Sequence, residues 1–461
     1  RELTRHYLAM PVIVTLFAAA VGNMLGYTVF KNVVVSMYYN SYSLPAYETV
    51  WNPTAFLKTT VIPLLLMFVV NLAVIFAKMR HTPLQFLRQD LKKNKRKKAI
   101  RLPNWKFFSR FRLRIIFQNM PNYLILFFGI FFVCVMLSMA IGMPDTLDYY
   151  KDNAKDMMFA DYQYVLKSYE DEDGKLITTA NENAEIFGMK SLQKKSDSFA
   201  EDISVYGIAD DSNYVKIDGL ESLGENEVYI SNSFAEKYGI SSGDTVSLEE
   251  KYENKKYDFK VAGLYDKSLM ISVFMPIKQF SADFDLKEDE FTGYLSDTEI
   301  TDISEDNIAT VITERDITKM CDQLDHSMGF YMRYFQVLCI LLSAVMIYLL
   351  TKIIIEKNEN AISMTKILGY ENGEIARLYL ISTSIVFVLA DVLGVFLGSL
   401  VMSEAWKMIM ADYSGWFTFM MNPWGYAKMF LFVLIGYLIV LGFDFRRIKK
   451  IPLDKALKNA E

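Results

Sequence analysis

Residues able to do chemistry are few in this chain and lie far apart. The three histidines, His6, His81 and His326, share no local spacing, so no metal-ligand cluster is written into the sequence. Of the three cysteines, Cys134 and Cys339 lie in apolar runs and Cys321 is alone in a polar block, which excludes a disulfide framework. There is no Gly-x-x-x-x-Gly-Lys-Ser/Thr phosphate loop, no His-Glu-x-x-His and no Gly-x-Ser-x-Gly. The chain therefore lacks the signatures for gripping ATP and for zinc- or serine-based hydrolysis. The acidic run Glu170–Asp173 lacks the spacing of a calcium loop and reads as a solvated face. One carboxylate stands apart. Asp391 sits inside an apolar run, where an ionisable group is costly unless paired or wetted. Two readings stand for it: a mark on a proton or substrate path, or an interfacial or helix-pairing contact. No catalytic residue, metal site or cofactor is expected.

The elements that carry these residues are dominated by membrane spans. Hydrophobic residues make up 52% of the 461, too many for one soluble domain. Six apolar runs reach the roughly 20 residues a bilayer requires. They are Leu8–Phe30, Leu57–Lys78, Pro121–Met143, Tyr331–Ile355, Leu378–Met402 and Tyr426–Phe443. Between the fourth and fifth runs, Glu356–Leu380 is short, charged and amphipathic. Ala361, Ile362, Thr365, Leu368 and Ile375 recur at near-helical spacing, and Gly369 offers a helix stop. This pattern fits either a connecting loop or a docking helix.

Charge orients the spans. Residues 144–330 hold 41 acidic and 18 basic side chains, and the remainder holds 13 acidic and 31 basic. So sharp a split puts the two parts in different compartments. The stretch between spans two and three runs from Lys78 through Lys92, Lys93, Lys95, Arg96, Lys97 and Lys98 to Arg114, with Asp90 as its one acid. The tail carries Arg446, Arg447, Lys449, Lys450, Lys455 and Lys458. Both are expected on the cytoplasmic side of a plasma membrane, with both chain ends inside and residues 144–330 outside. Glu356–Leu380 then falls inside. Because the basic stretch adjoins a span, it reads as a membrane-surface anchor rather than a nucleic-acid patch. Trp105, Phe107, Phe108 and Phe111, interleaved with Lys106, Arg110 and Arg112, suit an amphipathic helix at the inner interface, in contact with membrane lipid.

An internal repeat runs through the spans. Glu2, Arg5, Tyr7 and Leu8 stand opposite Glu374, Arg377, Tyr379 and Leu380. At the same offset Gly22 and Gly26 match Gly394 and Gly398, and Ala19 matches Asp391. Asn52-Pro53 matches Asn422-Pro423 before the last span of each set, and His81-Thr-Pro-Leu84 matches Lys450-Ile-Pro-Leu453 after it. The repeat divides the chain into the end of a first unit, 1–92, and a whole second unit, 93–461. With units of equal length, most of the first is expected upstream of Arg1. Glycines four apart let another membrane helix approach closely, so Gly22, Gly26, Gly394 and Gly398 are expected on a shared packing face.

Residues 144–330 are long enough for a core of their own. Asp145–Met157 continues the third span as a helix, Asp161–Tyr169 reads as a strand and Thr179–Met189 as helical. Glu227–Ser231 reads as a strand and Asn232–Tyr238 as a short helix capped by Ser231 or Ser233 and stopped at Gly239. Ser241–Val246 turns into a strand, Tyr257–Leu264 and Ser272–Pro276 are further strands, and Ile317–Asp325 leads helically into span four. The class is α+β with helical stalks.

In their order, several stretches resemble the FtsX/MacB-type permeases of ABC transporters. Ala361-Ile-Ser-Met-Thr-Lys-Ile-Leu-Gly-Tyr370 followed by Glu374-Ile-Ala-Arg-Leu-Tyr379 resembles that family's coupling segment. Val205–Ile208, Glu227–Ser231, Ala235–Val246, Val261–Leu264 and Phe274–Pro276 resemble its MacB-like periplasmic core. Pro83-Leu84 and Pro452-Leu453 resemble its tail motif. One departure is Asn360, where the family commonly has an acid. The resemblance implies an α-helical membrane protein with six predicted transmembrane helices plus an extracytoplasmic α+β domain of MacB-like periplasmic core type. Residues 1–92 would be the last two helices of a first FtsX-like unit. Residues 93–143 would be the amphipathic helix and first span of the second, 144–330 the external domain, and 331–461 three spans with the coupling helix and tail. It also implies two separate cytoplasmic ABC ATPase subunits as partners. They would dock around Glu356, Ala361, Ile362, Thr365, Leu368, Gly369 and Tyr370. ATP hydrolysis would then drive extrusion of a peptide or lipid-linked substrate, or mechanotransmission. The reading from another class is a non-transporting receptor or scaffold whose external domain senses a ligand.

Overall fold

A computed structural model describes residues 2–41, 43–79, 107–195, 200–252, 255–268, 270–287 and 290–453. The expected basic stretch at 80–106, with His81, Pro83 and Leu84, and the tail lysines Lys455 and Lys458 lie outside the described residues. The chain forms two compact units, 1–110 and 111–461. Among the described residues six helices are long and apolar enough to cross a membrane, matching the six expected runs.

In the first unit, α1 (Glu2–Leu25) passes through a π-helical turn at Gly26–Phe30 into α2 (Lys31–Ser41), and α3 (Pro53–Met79) packs back along α1. Asn23 pins the pair: its amide donates to the Thr60 hydroxyl at 2.9 Å, and its carbonyl accepts from Thr59 at 2.8 Å. Asn52 caps α3, its side-chain oxygen accepting from the Thr54 and Ala55 amides, with Pro53 as the first helical residue.

α4 (Phe107–Gln118), a helix where the aromatic-basic pattern predicts one, runs across the boundary at residue 110 into the second unit. Next come α5 (Met120–Asp152), α9 (Phe330–Lys357), α11 (Asn372–Ala411) and α12 (Pro423–Lys450), packed as a bundle around Leu126, Cys134, Leu137, Ile347, Phe387, Val433 and Tyr437. At about 1.5 Å per residue, α5 and α11 span roughly 50 and 60 Å, so both outrun a hydrocarbon core of about 30 Å. Gly394 and Gly398 lie where α11 crosses α5. A Cβ at Gly398 would stand 3.0 Å from the backbone of Cys134 and Val135, and one at Gly394 would stand 3.2 Å from the Cys134 sulfur. The repeat's other pair behaves differently, with no atom within 4 Å of a Cβ at Gly22 or Gly26. Gly394 and Gly398 thus lie at a close helix approach within the second unit, and within the first unit Gly22 and Gly26 do not.

Between α5 and α9 lies a nine-stranded mixed sheet. Its strands are β1 (Tyr162–Leu166), β2 (Glu185–Lys195), β3 (Ala200–Ile208), β4 (Glu227–Ser231), β5 (Thr245–Glu249), β6 (Lys256–Tyr265), β7 (Ser272–Pro276), β8 (Gly293–Ser296) and β9 (Ile308–Thr313). The order β3-β7-β4-β6-β5-β2, with β2 pairing back onto β3, closes six strands into a ring; β8, β1 and β9 extend from β2. Alternate residues of β5 and β6, namely Val246, Leu248, Tyr257, Phe259 and Val261, turn inward to meet Phe234 and Phe280. Those last two come from α6 (Asn232–Tyr238) and α7 (Ile277–Asp283). Ser231 caps α6 through the Phe234 amide, and Gly239 ends it in the left-handed region.

One expectation fails here: Thr179–Met189 is not a helix. Side chains that bond nearby backbone compete with helix. Thr179 and Asn181 accept from the amides two residues on, and Asp302 accepts from both Thr179 and Ala180. The segment is thus held in turns until β2 begins at Glu185. The stalks do form. α8 (Glu314–Leu324), capped reciprocally by Thr313 and Asp316, runs through a π turn into α9 and packs on α5, where Lys151 meets Asp322 at 2.7 Å.

Candidate functional site

The segment singled out by pattern forms a short helix, α10 (Glu359–Ile367), wedged between α9 and α11 at the bundle end away from the sheet. Asn358 breaks α9 and starts α10. Its amide returns to the Ile354 carbonyl at 2.6 Å and reaches Asn119 at 3.4 Å, which ties the corner to α5. Beyond α10, Gly369 takes φ +91°, with its amide on the Lys366 carbonyl and the Tyr370 amide on the Thr365 carbonyl. This is the paired C-terminal closure that favours glycine. Glu371 and Glu374 then cap α11 reciprocally.

One face of α10 is anchored. Ile362 is 0% exposed, packed among Ile115, Ile355, Ile375, Tyr379, Ile448 and Ile451 from α4, α9, α11 and α12. The Ser363 hydroxyl lies 3.0 and 2.9 Å from the Pro452 and Leu453 carbonyls. The Lys366 ammonium donates to the carbonyls of Ile448 and Ile451 at 3.0 and 2.7 Å, closing the last turn of α12, and burial lowers its pKa. The Pro452-Leu453 tail thus has a local role as the strap to which α10 is fastened.

The opposite face is open and apolar at its crest. Leu368 is 71% exposed, and Met364, Ile367, Tyr370 and Ala361 accompany it. A cleft of about 780 Å³ beside it is lined by Lys366, Tyr370, Glu371, Phe445, Lys449 and Lys450. Among the residues expected at a docking surface, Glu356, Ala361, Leu368, Gly369 and Tyr370 are exposed and Thr365 is half-buried. Ile362 is not on that surface; it belongs to the core that fixes the helix. Met364 and Ile367 were missed. The signal for Met364 was Ala361-x-x-Met364-x-x-x-Leu368, an i, i+3, i+7 series one position out of phase with Ile362.

Asp391 is fully buried between α11 and α5. Its Oδ1 lies 4.0 Å from the Cys134 sulfur, and its Oδ2 has no hydrogen-bond partner among the described residues. Nor does any group of three His, Cys, Asp or Glu side chains suited to a metal ion occur among the described residues.

Against known families, residues 122–312 match the MacB-like periplasmic core domain and residues 334–453 match the FtsX-like permease C-terminal. No curated protein matches the chain. Among solved structures, the extracellular domain of the noncanonic ABC-type transporter YknZ from Gram-positive bacteria is similar at 15% identity and a TM-score of 0.21. That match covers 31% of this chain and 85% of that one. The two family matches fall in the order of the fold itself: span and sheet domain first, then the bundle that holds α10. The chain belongs to the FtsX/MacB-type permeases of ABC transporters.

Proposed function

We propose that α10 is the docking element for a separate ATPase subunit on the cytoplasmic side, and that this chain converts the motion of that subunit into displacement of the sheet domain outside. One observation carries the reading: an exposed apolar crest, Met364, Ile367 and Leu368, stands on a helix whose other face is fastened to four helices of the bundle. A push on such a crest reaches α4, α9, α11 and α12 together, because packed interiors transmit displacement with little compliance. The output is extrusion of a peptide or lipid-linked substrate by the moving domain, or mechanical signalling to an outside enzyme. The repeat supports a fused two-unit permease served by two ATPases, with both ends of the chain cytoplasmic.

The test uses the full chain purified with its ATPase partner in lipid nanodiscs. Replacing Met364 and Leu368 together by Asp is expected to reduce permease-dependent ATP hydrolysis at least tenfold while leaving thermal stability unchanged. Ile362→Asp, which buries a charge, is expected to lower stability as well. Undiminished hydrolysis in the double variant would sink the docking role. Failure of any ATPase to copurify with the chain would instead favour the receptor reading.

A further inference from the structure

The turn between α11 and α12, residues 412–422, is clamped to the sheet domain by a buried polar device. Lys237 of α6 and Glu201 of β3 are an ion pair with side chains only 1% and 2% exposed, the ammonium 2.7 and 2.8 Å from the two carboxylate oxygens. Both charges also grip the turn. Lys237 donates to the carbonyls of Tyr413 and Gly415 at 2.7 and 3.1 Å, and Glu201 accepts from the Gly415 amide at 2.6 Å. The Tyr238 hydroxyl donates to the remaining Glu201 oxygen. Next to this pair, Glu236 accepts from the Trp416 indole at 2.9 Å and from the Thr418 hydroxyl at 2.7 Å, and the Trp416 ring enters the core of the closed strands.

The other end of the turn is tied to the membrane helices. Phe417 accepts from the Trp406 indole of α11 at 2.7 Å, and the Thr418 amide donates to the Tyr150 hydroxyl of α5 at 2.8 Å. The Asn422 amide donates to Asp145 at 3.1 Å. A buried ion pair is a weak source of stability compared with apolar side chains of the same volume, whereas breaking one leaves an uncompensated charge. What this pair supplies is position: two carbonyls and one amide of the turn must meet one cation and one anion, in one register.

We propose that Lys237 and Glu201 are positioning residues. They make the turn 412–422 a second rigid connection, beside the α5–α8 stalk, by which movement of α11 and α12 reaches the external domain. A domain held by the stalk alone could pivot about it. A second attachment removes the pivot, so sliding of α11 and α12 against α5 becomes a tilt of the domain. This rests on the reading that α10 receives the ATPase.

Spin labels at Asp218 and Ser414 read the clamp, and labels at Asp218 and Leu349 read the domain against the far end of the bundle. In the full chain with its ATPase in nanodiscs, the first distance is expected to be narrow and unchanged by ATP while the second shifts. Glu201→Gln combined with Lys237→Met removes both charges at nearly constant volume. This variant is expected to broaden the first distance and at least halve the second shift while ATP hydrolysis continues. That uncoupling is a readout a merely structural pair would not move. Trp416→Phe combined with Thr418→Ala, which spares the ion pair, is expected to do the same more weakly, and decides the matter where the first variant does not fold. An ATP-dependent change between Asp218 and Ser414 in the unsubstituted chain, or an unbroadened distance in the variants, overturns the clamp. If the shift between Asp218 and Leu349 is absent without any substitution, the coupling reading fails. The clamp is still decided by the first distance in the nucleotide-free chain.

Discussion

The helix pairs α1–α3 and α11–α12 carry the same marks in sequence and differ in what surrounds them. Each has an Asn-Pro that caps its second helix, and Asn52 and Asn422 both accept from amides of the first turn. Each has glycines four apart at matching positions. In the second pair those glycines receive the backbone of α5, and in the first no described atom of the same unit comes within 4 Å of a Cβ built there. The connecting turns diverge in the same way. Trp416 is 4% exposed inside the sheet domain, while Trp51, stacked on Tyr27 at 5.0 Å, is 57% exposed. Local signals therefore make a helical hairpin, and burial is conferred by α5 and the sheet domain, elements that lie far from the hairpin in sequence.

The largest effect that would break this comparison is at the two tryptophans. Trp416→Ala is expected to cost the sheet domain about 3–5 kcal/mol, the range for emptying a large buried aromatic site. Trp51→Ala should cost the first hairpin under about 1 kcal/mol, as for exposed positions. Denaturant unfolding of the full chain in detergent, followed by domain-resolved hydrogen exchange, measures both. Equal losses would mean that the Trp51 turn is buried against something in the membrane.

These residues also mark how far the sequence could be read. The spans, the α6 cap, the α10 stop at Gly369 and the stalk helix before α9 were legible because each follows from a local rule: apolar length, Ser-to-amide capping, left-handed glycine, amphipathic spacing. The failures share a cause. Ile362 and Leu368 both suit an apolar position on a short helix, and only the arrival of Ile115, Ile375 and Ile448 decides that one is core and the other surface. Thr179–Met189 failed because Asp302, more than a hundred residues away, captures its first turn. The Glu201–Lys237 pair, 36 residues apart, gave no local signal at all.

Smaller effects sharpen the comparison. Gly398→Leu forces a side chain against the backbone of Cys134 and is expected to cost about 1–3 kcal/mol by overpacking. Gly22→Leu should be nearly neutral in thermal melts of the same preparation. If Gly22→Leu is as damaging as Gly398→Leu, a helix covers α1 in the membrane. The Asn caps should behave alike, since capping is local: Asn422→Ala and Asn52→Ala are each expected to cost about 1 kcal/mol. A large difference between them would show that the Asn-Pro marks are not equivalent.

The smallest effect separates the two regions by pH. In the sheet domain, hydrogen bonds from Lys195 and then Lys256 hold the Glu249 carboxyl down to about 2. The Gln193 and Lys251 side chains lower Asp202, while the Ala180 amide and Thr179 hydroxyl lower Asp302. A carboxylate depressed on folding contributes stability that is full above its unfolded value near 4 and is lost as pH falls toward the folded value. These groups are at the surface, so each contribution is small and weakens with salt. Among the described residues, the hairpin α1–α3 holds no carboxylate paired with a cation. Acidification from pH 6 to 3 should therefore, once rates are corrected for the intrinsic pH dependence of amide exchange, speed hydrogen exchange in β2, β5 and β6 and leave α1 and α3 unchanged, and Glu249→Gln should flatten the response of the strands. Equal acceleration in both regions would mean that the sheet's acid sensitivity arises from net charge rather than from these pairs.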